Sequence, residues 1–140
     1  MKNLCYYLDT NILVFVLSNR NEIDSHVLNI LTDCSNLIYT SSVAVKELVL
    51  LFRIGKLRSH IYKSEKDLLE SLSLYNIQIV FFNQYHFSTY ASLQIANGHK
   101  DMNDHAIITQ ALSDKISVIS SDIKFKDYIS QGLQFIYNKR

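Results

Sequence analysis

Four acidic residues, Asp9, Glu47, Asp104 and Asp122, each stand beside an apolar run that reads as a strand or as a helix next to one. Carboxylates gathered in one place repel each other, and an ionised one left unpaired away from water costs several kcal/mol. A cluster of this kind needs a cation to hold it. Oxygen-only ligands suit Mg²⁺ or Mn²⁺, hard ions that keep part of their water and bind phosphate readily. Taken singly, each acid has a plainer reading. Asp9 could cap a helix or form a turn, and Glu47 could lie on a solvated helix face. Asp104 could be a first-turn acid favoured by the helix dipole, and Asp122 a loop residue. The joint pattern is what calls for metal chemistry.

The elements that must position these residues follow from periodicity. Cys5 to Leu8 is a buried-strand candidate ending at Asp9, and Asn11 to Leu17 continues as a helix. Asp24 caps a helix to Leu31, and Asn36 to Thr40 is a second strand. Ser41 or Ser42 then caps a helix with Val45, Leu48, Val49 and Phe52 at helical spacing, which Gly55 can end. Ser64 caps a helix running to Tyr75, and Ile77 to Phe82 is a third strand. Gln84 to Ile95 reads as helix, broken by Asn97-Gly98. Met102 to Leu112 is a further helix, Ile116 to Ser120 a fourth strand, and Leu133 to Tyr137 a fifth.

Strands alternating with helices predict a three-layer α/β/α domain around a mostly parallel sheet of four or five strands, covered on both faces. Ligands of such sheets bind outside the carboxyl ends of the strands. Asp9 closes the first strand, Glu47 lies in the helix after the second, Asp104 opens the helix before the fourth, and Asp122 follows the fourth. All four can converge on one sheet edge.

Composition agrees with one globular domain over residues 1–140, with 48% hydrophobic and 19% charged residues and no low-complexity run. The opening residues lack a secretory cleavage site, and the longest uncharged apolar stretch falls short of the roughly 20 residues that span a bilayer. A cytoplasmic protein without a membrane anchor is expected. Cys5 and Cys34 lack motif spacing and read as free thiols. A net charge of +1 carries no broad basic excess, so nucleic-acid contacts must come from local clusters.

At the acidic positions the chain resembles the PIN-domain nucleases, in particular the VapC-type toxins of bacterial toxin–antitoxin pairs. Tyr7-Leu8-Asp9-Thr10-Asn11-Ile12-Leu13 is similar to that family's first motif. Ser41 followed by Glu47 six residues later resembles the second, and His99 to Ile108 with Gln110-Ala111 the third. Val118-Ile119-Ser120-Ser121-Asp122 with Phe125 resembles the fourth. The likeness covers nearly the whole chain in motif order. His105 stands where relatives often carry arginine, and Met102 where they often carry proline.

The resemblance implies a metal-dependent endoribonuclease, with Asp9, Asp104 and Asp122 touching Mg²⁺ or Mn²⁺ directly or through water, and Glu47 orienting water. It implies an RNA substrate, a cognate antitoxin and a homodimer, whose interface could be lined by whichever of Tyr62, Tyr75, Tyr90 and Tyr128 are exposed. A PIN fold kept for RNA processing outside a toxin pair, or kept only for binding, is the alternative. With net charge near zero, a structured RNA read by shape is the easier target to support. Asn11 could donate to Asp9 or to a phosphate, or form an Asx-turn. Ser41 and Ser120 could fix carboxylates, although one of Ser41 and Ser42 must cap a helix. Asp101 sits at cap spacing before Asp104, while His99 and His105 invite a general-acid role that metal nucleases can do without. Lys46, Arg53, Lys56 and Arg58 could grip phosphates or line a solvated face, and Lys124 to Lys126 with Asp127 read as surface loop.

Two other acid-bearing folds fail at particular residues. A phosphatase of the haloacid-dehalogenase kind needs a second aspartate two residues after the first, where this chain has Asn11. A receiver domain needs an acidic acceptor after the third strand, where this chain has Phe81-Phe82-Asn83.

Overall fold

The computed structural model describes residues 4–57 and 61–140. Arg58 of the basic run and His60 lie outside the described residues. Strand β1 (Cys5–Leu8) lies at the centre of a five-stranded sheet. Around it are β2 (Leu37–Ser41), β3 (Ile77–Val80), β4 (Ser117–Ser120) and β5 (Phe135–Tyr137), in the order β3-β2-β1-β4-β5. Every ladder is parallel. Successive strand side chains point to opposite faces. Tyr7 and Leu8 are both buried, so helices cover both faces of β1.

Each of the six α-helices below begins on a side chain that accepts from its free N–H groups. Asp9 caps α1 (Thr10–Ser18), Asp24 caps α2 (Ser25–Thr32), and Ser41 caps α3 (Ser42–Arg53). Ser64, Asn83 and Asp101 cap α4 (Glu65–Leu74), α5 (Gln84–Ser92) and α6 (Met102–Asp114). Such a cap contributes roughly 1 kcal/mol and marks where the chain changes direction.

The strand order matters most for function. β1 is followed on one side by β2 and β3 and on the other by β4 and β5, so the connections diverge at the carboxyl ends of β1 and β4. Open parallel sheets bind ligands in the crevice at such a divergence. Leu8 pairs with Ile119, which puts Asp9 beside Ser120 although the two are 111 residues apart.

Several boundaries differ from the sequence expectation, among them the start of the fifth strand, at Phe135 rather than Leu133. The third strand stops at Val80 rather than Phe82, because the Phe82 N–H turns to donate to Ser42 Oγ (3.0 Å). Helix α5 stops at Ser92 rather than Ile95, where the Gln131 side chain takes up both the N–H and the carbonyl of Gln94. After β4 the chain does not form a loop. It coils as a 3-10 helix over Ile123–Gln131 that buries Phe125 and Tyr128 while leaving Lys124 and Lys126 exposed. Of the four tyrosines among which exposed aromatics could line an interface, Tyr75 is exposed and Tyr90 partly covered, while Tyr62 and Tyr128 are buried. Cys5 and Cys34 are free thiols, as expected. Among the described residues no helix is long and apolar enough to cross a membrane.

Fully buried Asn138, just after β5, ties three segments together. Its N–H donates to the Ser120 carbonyl and its Oδ1 accepts from Asp24 N, both at 2.8 Å. Its Nδ2 donates to the Glu22 carbonyl (2.9 Å) and Ser121 Oγ (2.7 Å). Asn138→Ala leaves several of these groups unpaired away from water. The expected loss is roughly 2–4 kcal/mol, read as a lower urea midpoint with an unchanged slope.

Candidate metal centre

Asp9, Glu47, Asp104 and Asp122 line one cleft, together with Thr10, Asn11, Asp101 and Arg140. Asp9 lies deepest, at 3% exposure. Its N–H continues the β1–β4 ladder by donating to the Ile119 carbonyl (3.0 Å), which holds the backbone rigidly at the sheet edge. Carboxylate Oδ1 accepts from Thr10 N (2.8 Å), while Oδ2 accepts from Ser120 Oγ (2.6 Å) and Asn11 Nδ2 (3.2 Å). Ser120 Oγ also accepts from Asp122 N (2.9 Å), and Asn11 Oδ1 accepts from Ser121 N (3.1 Å). Asp9, Asn11, Ser120 and Asp122 thus form one network across the strand tips.

Asp104 sits in the first turn of α6, where Asp101 caps by accepting from Asn103 N (2.9 Å) and Asp104 N (3.1 Å). Asp101 thus takes the capping role that its spacing implies. Asp122 likewise caps the 3-10 helix through Lys124 N (3.0 Å). Asp9 thus takes its plain role as a helix cap, while Asp122, expected in a loop, caps the 3-10 helix, and both carboxylates line the cleft. Half-buried Glu47 projects from the second turn of α3 and accepts a long hydrogen bond from Asn103 Nδ2 (3.4 Å).

Ser41 does not join the acids. Its hydroxyl accepts from Val43 N (3.0 Å) and donates to Gln110 Oε1, and Gln110 Nε2 donates in turn to the Val80 carbonyl (3.1 Å). Ser41 thereby fastens α3 to α6. His105 is buried at 7% exposure, with Nε2 on the His99 carbonyl (2.6 Å), and so does not face the cleft as a substrate contact would. Met102, where relatives often have proline, is 70% exposed.

The tertiary structure adds residues that the sequence pattern did not mark as partners of the acids. His99 Nε2 lies 2.9 Å from Asp104 Oδ2, and His99, Asp104 and Asp122 each offer a ligand atom within 4.8 Å of the others. The sequence signal was the Asn97-Gly98 pair. Both residues have positive φ (50° and 70°), and His99 N donates back to the Ala96 carbonyl (2.9 Å). This tight turn suits Asn and Gly and aims His99 at α6. Arg140 has no local signal. It reaches the cleft wall by donating to Glu22 Oε2 (2.7 Å) and stacking over Phe15 (5.1 Å).

Electrostatics bear the mark of the crowding. Burial, and then repulsion from Asp104 and Glu47, push the Asp9 carboxyl up to about 7 against the hydrogen bonds from Ser120 and Thr10. Burial, with the negative charges of Asp101, Asp122 and Glu47, pushes Asp104 up to about 7 as well, opposed by Lys124. Glu47 is raised by burial and by Asp101. Such shifts mark places where protein alone leaves the ionised state under-supported. Buried Thr10 Oγ1, on the wall of the same cleft, makes no well-formed hydrogen bond among the described residues, and its hydroxyl lends Glu47 only weak support. Under-neutralised carboxylates converging on one cleft are a donor set that fits a hard, partly hydrated cation.

The PIN domain profile matches residues 6–129. A comparison with curated protein sequences returned no significant match. Among solved structures, the chain is similar to VapBC2 from Rickettsia felis bound to a promoter DNA fragment. The TM-score is 0.66 at 22% identity, covering 97% of this chain and 100% of that one. It is similar to VapBC-1 from nontypeable Haemophilus influenzae, at TM-score 0.63 and 21% identity, covering 96% and 98% of the two chains. A toxin–antitoxin complex from Klebsiella pneumoniae gives TM-score 0.64 at 18% identity, covering 94% and 95%. These likenesses agree in fold, and the profile spans every acidic position of the cleft: the chain belongs to the PIN domain family.

Proposed function

We propose that this chain is a metal-dependent endoribonuclease acting in the cytoplasm as the toxin of a type II toxin–antitoxin pair. The observation that carries the reading is the convergence of Asp9, Glu47, Asp104 and Asp122 on one cleft at the divergence point of a PIN sheet. Mg²⁺ or Mn²⁺ held by Asp9, Asp104 and Asp122, with Glu47 acting through water, would lower the pKa of a bound water and neutralise charge on the phosphoryl oxygens. In the hydrolysis itself, water adds across a P–O bond of RNA to leave a phosphate end and a hydroxyl end.

The chain's own groups do the rest. Asn11 and Ser120 hold Asp9 Oδ2 in place through hydrogen bonds, so the ligand is set before a cation arrives. Glu47 stands on the cleft wall where it can orient the attacking water. Exposed Lys46 and Arg53 flank Glu47 on α3, and Arg140 stands at the cleft, positions suited to RNA phosphates. The near-complete overlap with chains from toxin–antitoxin complexes supports a cognate antitoxin as partner. A homodimer is part of the same proposal.

Purified chain incubated with structured RNA should cleave it in Mg²⁺ or Mn²⁺ and stop when EDTA is added. Intact RNA under both metals refutes the reading. Ser120→Ala tests the support of Asp9. Loss of the 2.6 Å donor is expected to weaken Mg²⁺ binding by about tenfold, measured by calorimetry, with the fold retained.

A further inference from the structure

Behind Asp104 lies a buried relay that the four-acid scheme does not use. His99 and His105 are 8% and 7% exposed, and Tyr128 is fully buried against both rings. The hydrogen-bond directions in it can be read from chemistry. A carbonyl oxygen only accepts, so His105 Nε2, at 2.6 Å from the His99 carbonyl, carries a proton and donates it there. The Tyr128 hydroxyl lies 3.2 Å from that same Nε2 and therefore cannot donate to it. It accepts from Ala96 N (3.4 Å), and among its hydrogen-bond partners the one that can accept its own proton is His99 Nδ1 at 3.2 Å. His99 Nδ1 is thus an acceptor, and the ring's proton sits on Nε2, facing Asp104 Oδ2 at 2.9 Å.

We infer that His99 is a positioning residue: its Nε2–H, set by Tyr128 and His105, orients the Asp104 carboxylate for cation binding and keeps the imidazole lone pair out of the site. His99, Asp104 and Asp122 each offer an atom within 4.8 Å of the others, but a ring nitrogen that carries a proton has no lone pair for a cation, so the ligands left to the site are oxygens. Imidazole nitrogen favours Zn²⁺ and Ni²⁺, whereas an all-carboxylate site favours Mg²⁺ and Mn²⁺. The relay therefore acts on which metal is taken, and Tyr128→Phe, which removes the hydroxyl proton but keeps the ring, should relax that choice. This inference rests on the metal-dependent reading above.

The test uses the full chain. In the metal-free protein, ¹⁵N imidazole signals should report His99 with its proton on Nε2, and the same form should persist in saturating Mg²⁺. Calorimetric titration with Mg²⁺ should show about a tenfold weaker affinity in His99→Ala. His99→Gln, whose amide can still donate to Asp104, should restore affinity to within about threefold of wild type. Tyr128→Phe should gain Zn²⁺ affinity relative to Mg²⁺. A proton on Nδ1 in the wild type overturns the inference, as does loss of the Nε2 proton signal on adding Mg²⁺. Undiminished Mg²⁺ binding by His99→Ala overturns it alone, whereas a wild type that binds neither Mg²⁺ nor Mn²⁺ overturns it together with the metal-dependent function.

Discussion

Asp9→Asn should reduce RNA cleavage to background while leaving the fold in place. A bound cation's charge stabilisation is worth several kcal/mol in the transition state, so losing it is about a 10³-fold drop in rate. The amide can keep the cap, since its oxygen can still accept from Thr10 N. It cannot serve as an anionic ligand. Its NH₂ group would also face two donors, the Ser120 hydroxyl and Asn11 Nδ2, that now converge on Oδ2. The check pairs cleavage rate with thermal melting in EDTA and in Mg²⁺. The wild type should melt higher with Mg²⁺, and the variant should not respond. Unchanged cleavage by Asp9→Asn would sink the assignment of this carboxylate.

The second large effect is on stability, and its sign follows from the direction of the carboxylate shifts. Asp9 and Asp104 have ordinary values of 3.8, and both are pushed up to about 7 in the folded, metal-free chain. A group whose pKa is higher when folded binds its proton more tightly in the native state. Its contribution is therefore whole below about pH 4, where both states are protonated, and is lost as pH rises through about 7. In between, each such group shifts the folding equilibrium against the native state by about tenfold per pH unit. The two acids repel one another and titrate as a pair, which spreads the loss across the window. A divalent cation displaces those protons, so its apparent affinity rises with pH. Melting temperature in EDTA should fall from pH 4.5 to 8, and the gain from added Mg²⁺ should widen over the same range. Asp104→Asn should flatten the EDTA profile. A wild-type profile already flat in EDTA would contradict the crowding of the acids.

Much of this was legible because it is local. Asp24, Ser64 and Asp101 announce helix starts by their spacing to the first free N–H groups, and the structure uses all three as caps. Apolar runs at Cys5–Leu8 and over residues 116–120 announce strands, and the acids beside them fall at the carboxyl edge because parallel strands share one direction. The third strand and α5 were read too long for a tertiary reason. The groups that end them, Ser42 Oγ and the Gln131 side chain, arrive from 40 and 37 residues away. Likewise no local pattern tells whether Tyr128 is exposed, and the 3-10 coil turns it onto His99 and His105.

The four acids with which the sequence analysis began were identified by type, order and position relative to predicted strands, all properties of short segments. Sequence by itself determined that a parallel α/β sheet would carry Asp9, Glu47, Asp104 and Asp122 near one edge. Tertiary structure alone decided that β1 stands between β2 and β4, because strand order depends on pairings between distant segments. That order sets Ser120 on Asp9 and the Asn97-Gly98 turn delivers His99 to Asp104, while Ser41 is drawn away to Gln110. A hydroxyl or an imidazole can bond to any partner within about 3 Å, and only the folded chain selects which one is there.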